Sequence, residues 1–131
     1  MRFLLSGMLI ASFVLGTCFG VHAATRVEEV WQCELKDGKT QKDVQAVNSK
    51  WVKFVNAKVE GGDIHSYVAT SIVGDSTQFL YIDSFPDMKA WVAVKALMAS
   101  DEGQALEAVL NEVATCSSNR LWSTAETMAQ K

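Results

Sequence analysis

One proline, Pro86, in 131 residues leaves no proline-rich linker, and no serine- or glycine-rich run takes its place. Histidine is scarce too: His22 and His65 are the only two, and neither HxxxH nor CxxC occurs. A metal centre built from such spacings is therefore excluded from the expectation. A glycine-rich phosphate loop is missing; Gly61-Gly62 is an isolated pair and reads as a helix stop. Basic residues are in deficit, with 12 Lys and Arg against 15 Asp and Glu. A nucleic-acid partner needs a basic surface, so none is expected. No catalytic set, resident metal or cofactor can be assigned from these residues.

The chain opens with a long apolar run. Arg2 precedes Phe3 to Phe19, and Val21-His22-Ala23 closes the run with small residues where a signal peptidase reads them. A membrane anchor is the rival reading, since the run is about long enough to cross a bilayer. It is diluted by Ser6, Gly7, Ser12, Gly16 and Thr17 and lacks a basic stop. A lipoprotein is the third reading, through Cys18, but Thr17 fits poorly before a modified cysteine. The expectation is a signal peptide over 1–23 and a periplasmic or secreted chain. Taking 23 residues from 131 leaves 108, one domain over 24–131. Loss of Arg2 moves the formal charge from −3 to −4, and no later run suits a membrane.

Two halves with the same plan follow. Val27, Glu29, Trp31, Cys33 and Leu35 share one face of an alternating segment, with only Val30 out of step on the other. Asp37-Gly38 turns the chain, and Thr40 with Asp43 resembles a capping box. Val44, Val47, Trp51, Phe54 and Val55 then recur at helical spacing. A β-branched strand is expected over Ile64 to Val73, a turn at Gly74-Asp75-Ser76, and a strand over Thr77 to Phe85. Pro86 and Asp87 are expected to open a second helix. Ser100 restarts it, and a last strand is expected around Asn119 to Thr124.

Strand, helix, strand, strand, helix, strand is the ferredoxin-like α+β order, βαββαβ. It gives a four-stranded antiparallel sheet with the helices on one face. The last strand then runs beside the first, and this brings Cys33 to Cys116. Two cysteines left in an exported chain point to a disulfide. Free buried thiols are the alternative. A redox-catalytic pair is a third reading, but such thiols usually sit close together in sequence.

The element order, the segment FLYIDSFPDMKAW and the split second helix resemble the dimeric α/β-barrel superfamily, with its antibiotic-biosynthesis-monooxygenase-like and stress-responsive members. That resemblance implies a homodimer joined through the sheet face. Strands two and three suit it, being apolar on both faces where water would demand polar residues on one. The resemblance also implies a pocket for a small aromatic or apolar ligand. Trp31, Trp51, Trp91 and Trp122 are candidates to line it, alongside core packing as the plainer role for each. The ligand-binding candidates are Trp31, His65, Tyr67, Tyr81 and Trp122, with Asp83 the nearest carboxylate. Haem-degrading members use a histidine on the second helix, and this chain has none there. The leading expectation is a non-catalytic binding or interaction module; the alternative is a cofactor-independent monooxygenase-like enzyme. An enclosed pocket with converging polar groups favours the second, a solid core the first.

Overall fold

The computed structural model describes residues 25–127. The expected signal segment, with Cys18 and His22, lies outside these residues. The elements are β1 (Thr25–Leu35), α1 (Gln41–Lys58), β2 (His65–Thr70), β3 (Gln78–Phe85), α2 (Met88–Met98), α3 (Asp101–Asn111) and β4 (Ala114–Ala125). One antiparallel sheet has the order β2-β3-β1-β4. The helices pack on one face of it. This is the α+β, ferredoxin-like fold expected from the element order, with the second helix split in two.

Local chemistry explains the boundaries. Gly38 takes a φ of 73°, which a turn straight after β1 needs and a side chain would resist. The Thr40 side chain accepts from the Asp43 amide while Asp43 accepts from Thr40, a complete capping box for α1. Asp87 caps α2 by accepting from the Ala90 amide. The helix thus starts at Met88, and Pro86 stands just before the cap instead of opening the first turn. Ser100 caps α3 through the Gly103 amide. Gly103 is buried where the helices meet: a Cβ there would lie 2.5 Å from Leu97 O and Met98 Cα.

Two strands differ in extent from the sequence reading. β2 ends at Thr70, whose partner Phe79 is close to the start of β3. Ile72 and Val73 therefore have no strand to pair with and are 97% and 91% exposed in the connecting loop. β4 begins at Ala114, five residues before Asn119. A register shift between Gln32 and Cys33 lets Ala114, Thr115 and Cys116 pair with the end of β1. Cys33 and Cys116 come opposite one another there and form a disulfide.

The core is divided. One apolar cluster holds Val27, Trp51, Val55, Phe85 and Val94; the other holds Cys33, Val44, Val47, Phe79, Tyr81 and Val113. Between them, on the helix-facing side of the sheet, lie the buried polar residues Glu29, Asp83 and Asn48. Along β1 the sequence Val27, Glu29, Trp31, Cys33 crosses from one cluster through this polar layer to the other. Phe85, Asp83, Tyr81 and Phe79 repeat the crossing on β3 in matched register.

Candidate functional site

The polar layer opens into a cavity of about 370 Å³ between sheet and helices. Its floor is Glu29 and Trp31 of β1 with Tyr81 and Asp83 of β3. Asn48 and Trp51 of α1 close one side. Val94, Lys95 and Met98 of α2, with Gln104, Glu107 and Leu110 of α3, form the roof and mouth. Period-two alternation puts the floor residues on one face, and helical spacing turns Lys95 and Met98 toward them.

Glu29 and Asp83 are directly opposed across β1 and β3, yet their surroundings differ. The Lys95 ammonium lies 2.6 Å from Glu29 Oε2. Trp91 Nε1 and Asn119 Nδ2 also donate to Glu29, at 3.3 and 2.8 Å. Lys95 Nζ itself stands over the rings of Trp31 and Trp91, 5.2 and 5.7 Å from their centroids. Glu29 is therefore a buried carboxylate engaged by three donors.

Asp83 has less support. Asn48 Nδ2 donates to Ser66 Oγ at 2.9 Å, and the Ser66 hydroxyl donates to Asp83 Oδ1. Burial pushes the Asp83 carboxyl up to about 7, and the negative charge of Glu29 adds to the rise; the Ser66 bond and Lys95 oppose it. Two residues along the strand, the Tyr81 hydroxyl is buried without a hydrogen-bond partner among the described residues. Burial, then the charge of Asp83, push the Tyr81 phenol up to about 12. A carboxyl titrating near neutrality beside an unused hydroxyl can take or give a proton. Buried polar groups of this kind cost stability, which makes this cluster a candidate site.

The sheet separates the five ligand-binding candidates. Trp31 and Tyr81 line the cavity. His65, Tyr67 and Trp122 belong to the opposite, open face: His65 pairs with Ser84, Tyr67 with Ile82, and Trp122 with Glu28. His65 there bonds Asp63, which is also held by Arg26. Of the four tryptophans, Trp31 and Trp51 line the cavity, Trp91 bonds Glu29 and Trp122 faces away. Glu29, Lys95 and Asn48 were not singled out as site residues. A charge on the apolar face of β1 was the available sign for Glu29; Lys95 carried none.

No protein-family model matches the sequence, and no curated protein matches it either. Solved structures do match in fold. One is SnoaB of Streptomyces nogalater, described as a cofactor-independent oxygenase: 13% identity, 82% of this chain and 100% of that one covered, TM-score 0.58. A nipsnap family protein of unknown function from Agrobacterium tumefaciens gives 14% identity, coverage of 82% and 97%, and a TM-score of 0.58. A Caulobacter crescentus protein named as a candidate antibiotic biosynthesis monooxygenase gives 12%, 82% and 94%, and 0.53. At these identities the likeness is one of fold, and it agrees with the resemblance read from the element order.

Proposed function

We propose that this chain is a small-molecule enzyme whose cavity takes a flat, hydroxylated aromatic molecule and draws its proton onto Asp83. The carrying observation is the buried Asp83 carboxyl in the floor of a cavity of about 370 Å³ flanked by Trp31 and Trp51. Indole faces hold a ring, and Asp83 accepts the proton of the substrate hydroxyl. Deprotonated phenols are electron-rich and react with dioxygen more readily than their acids, so cofactor-independent oxygenation is the reaction class. The oxygenase among the structural neighbours supports that class by analogy of fold. The test is dioxygen consumption with a panel of hydroxylated aromatics, compared between the wild type and Asp83→Asn. Turnover that disappears in the variant, while ligand binding persists, supports the reading. Turnover by neither protein with any bound compound overturns it.

A second reading, a non-catalytic interaction module, is favoured by the open sheet face. Val30, Leu80 and Ile82 lie there with Tyr67 and Trp122, which are 56% and 51% exposed. A second copy of the chain is the proposed cover, giving a homodimer through the sheet. Export to the periplasm or beyond, with cleavage after Ala23, is part of the same proposal. The disulfide supports it, being suited to an oxidising compartment. Intact-mass measurement of the secreted protein tests the cleavage.

A further inference from the structure

A polar row crosses the sheet: Ser66 of β2 pairs with Asp83 of β3, and Asp83 with Glu29 of β1. A different helix covers each end of the row. α2 brings the Lys95 ammonium to Glu29, whereas α1 brings the neutral amide of Asn48 to Ser66. The partners of Glu29 (Lys95 Nζ, Trp91 Nε1 and Asn119 Nδ2) can only donate. Asp83 is bonded instead to a hydroxyl, which both donates and accepts. Behind that hydroxyl stand both polar atoms of the Asn48 amide, Nδ2 at 2.9 Å and Oδ1 at 3.2 Å from Ser66 Oγ. Asn48 is only 7% exposed, so its amide is committed to this contact and not to bulk water.

We propose that Ser66 and Asn48 are positioning residues for Asp83, forming a hydrogen-bond chain that reverses when the carboxyl gains or loses its proton. The role rests on Asp83 being the acid–base group of the cavity; the chain itself rests on the distances. With Asp83 ionised, Ser66 donates to Oδ1 and accepts from Asn48 Nδ2. With a proton on Oδ1, the carboxyl donates to Ser66 Oγ, and the Ser66 hydroxyl turns to donate to Asn48 Oδ1. One proton arrives at Asp83, and Ser66 keeps its own hydrogen throughout. Neither state sets donor against donor, so proton uptake needs one O–H rotation and no movement of backbone or carboxyl. A lysine in place of Ser66 or Asn48 would hold Asp83 ionised, and a carboxylate there would hold it protonated. A hydroxyl and an amide bring no charge to either state. The charged and titratable groups around Asp83 come from elsewhere: Glu29 on β1, Tyr81 on β3, Lys95 on α2, Glu107 on α3, and Lys36 on the Asn111 carbonyl. α1 adds no charge to the cavity lining, and His65 of β2 lies on the other face.

Carboxyl-carbon and side-chain amide NMR on the ligand-free, disulfide-bonded protein tests this without a substrate. The pH range runs two units either side of the value of about 7 to which burial raises Asp83. The Asn48 amide, assigned by its absence from Asn48→Leu, should shift with the same midpoint as the Asp83 carboxyl. In Ser66→Ala the Asp83 titration should persist while most of the amide shift is lost. Ser66→Thr, which keeps the hydroxyl, should restore the shift. His65→Gln, on the opposite face, should leave it as it is. An Asn48 amide indifferent to pH in the wild type overturns the chain, and that result needs no variant to fold. An amide shift as large in Ser66→Ala as in the wild type also overturns it, since only the through-space field of Asp83 would then be acting. So does an Asp83 carboxyl that stays in one state across the range. Joint titration of carboxyl and amide, without turnover of any hydroxylated aromatic, supports the chain and overturns only the reaction class.

Discussion

Glu29 and Asp83 are cross-strand partners on β1 and β3, and the ammonium of Lys95 is bonded only to the first. One buried carboxylate thereby has a cation against it, and the other has none. The division of labour follows from α2, which delivers Lys95 to one side of the pair.

Stability should fall as pH rises because of Asp83. Its carboxyl moves from 3.8 to about 7 on folding, so the folded chain holds a proton that the unfolded chain has released. The contribution is fully present below about pH 4 and is lost as pH rises through about 7, an effect of up to about 4 kcal/mol. Asp43, Asp63 and Asp75 act in the opposite sense, their carboxyls lowered chiefly by hydrogen bonds from Thr40, Arg26 and Thr77. Their effect is confined to more acidic solution, below the ordinary carboxylate value. Urea titrations between pH 4.5 and 8 should show the decline, and Asp83→Asn should flatten it. An unchanged slope in that variant would remove Asp83 as the cause.

Lys95→Met should destabilise by about 2–4 kcal/mol, because it strands Glu29 at 3% exposure. Adding Glu29→Gln should recover most of that loss, since the amide carries no charge to strand. A double-mutant cycle by chemical denaturation measures the coupling. Additive losses would show that the pair contributes nothing as a pair.

Gly103→Ala should cost about 1–3 kcal/mol, since the new methyl meets backbone of Leu97 and Met98 that has little room to yield. The same change shifts Met98 and Gln104, so ligand affinity should drop along with the melting temperature. Gly61→Ala serves as the contrast: nothing crowds its Cβ position, and its penalty comes from a φ of 83°. It should leave ligand affinity alone.

Reduction of Cys33–Cys116, or the Cys33→Ala/Cys116→Ala pair, should cost about 4 kcal/mol by freeing a closed loop with a sequence separation of 83. The oxidised protein should resist alkylation until reductant is added. Ready labelling of both thiols in the untreated protein would contradict the bond.

Short-range chemistry made much of this fold legible. Thr40 with Asp43 and Ser100 before Asp101 are caps that can be read from neighbours alone. The alternation of β1 named its buried face, Glu29 included, and even Val30 has its reason: it joins Leu80 and Ile82 on the open side. What depends on register was not legible. Whether His65 shares a face with Tyr81 is decided by its pairing with Ser84, across the sheet from any local signal. The early start of β4 was hidden because Thr115, Ser117 and Ser118 are small and polar and carry no alternation; an extra residue opposite Cys33 creates the pairing. The meeting of Lys95 with Glu29 depends on how α2 lies over the sheet, and a lysine within an apolar helix gives no sign of it in advance.

The bond between Cys33 and Cys116 also holds a wall of the cavity, since Cys116 belongs to its lining. Manufacture inside a reducing cell would therefore yield material whose final strand is free to slip past the bulge. Such preparations would look folded by circular dichroism and yet carry a misshapen receptacle. Recombinant work on ligands should route the polypeptide through an oxidising secretion system before any compound is declared inactive.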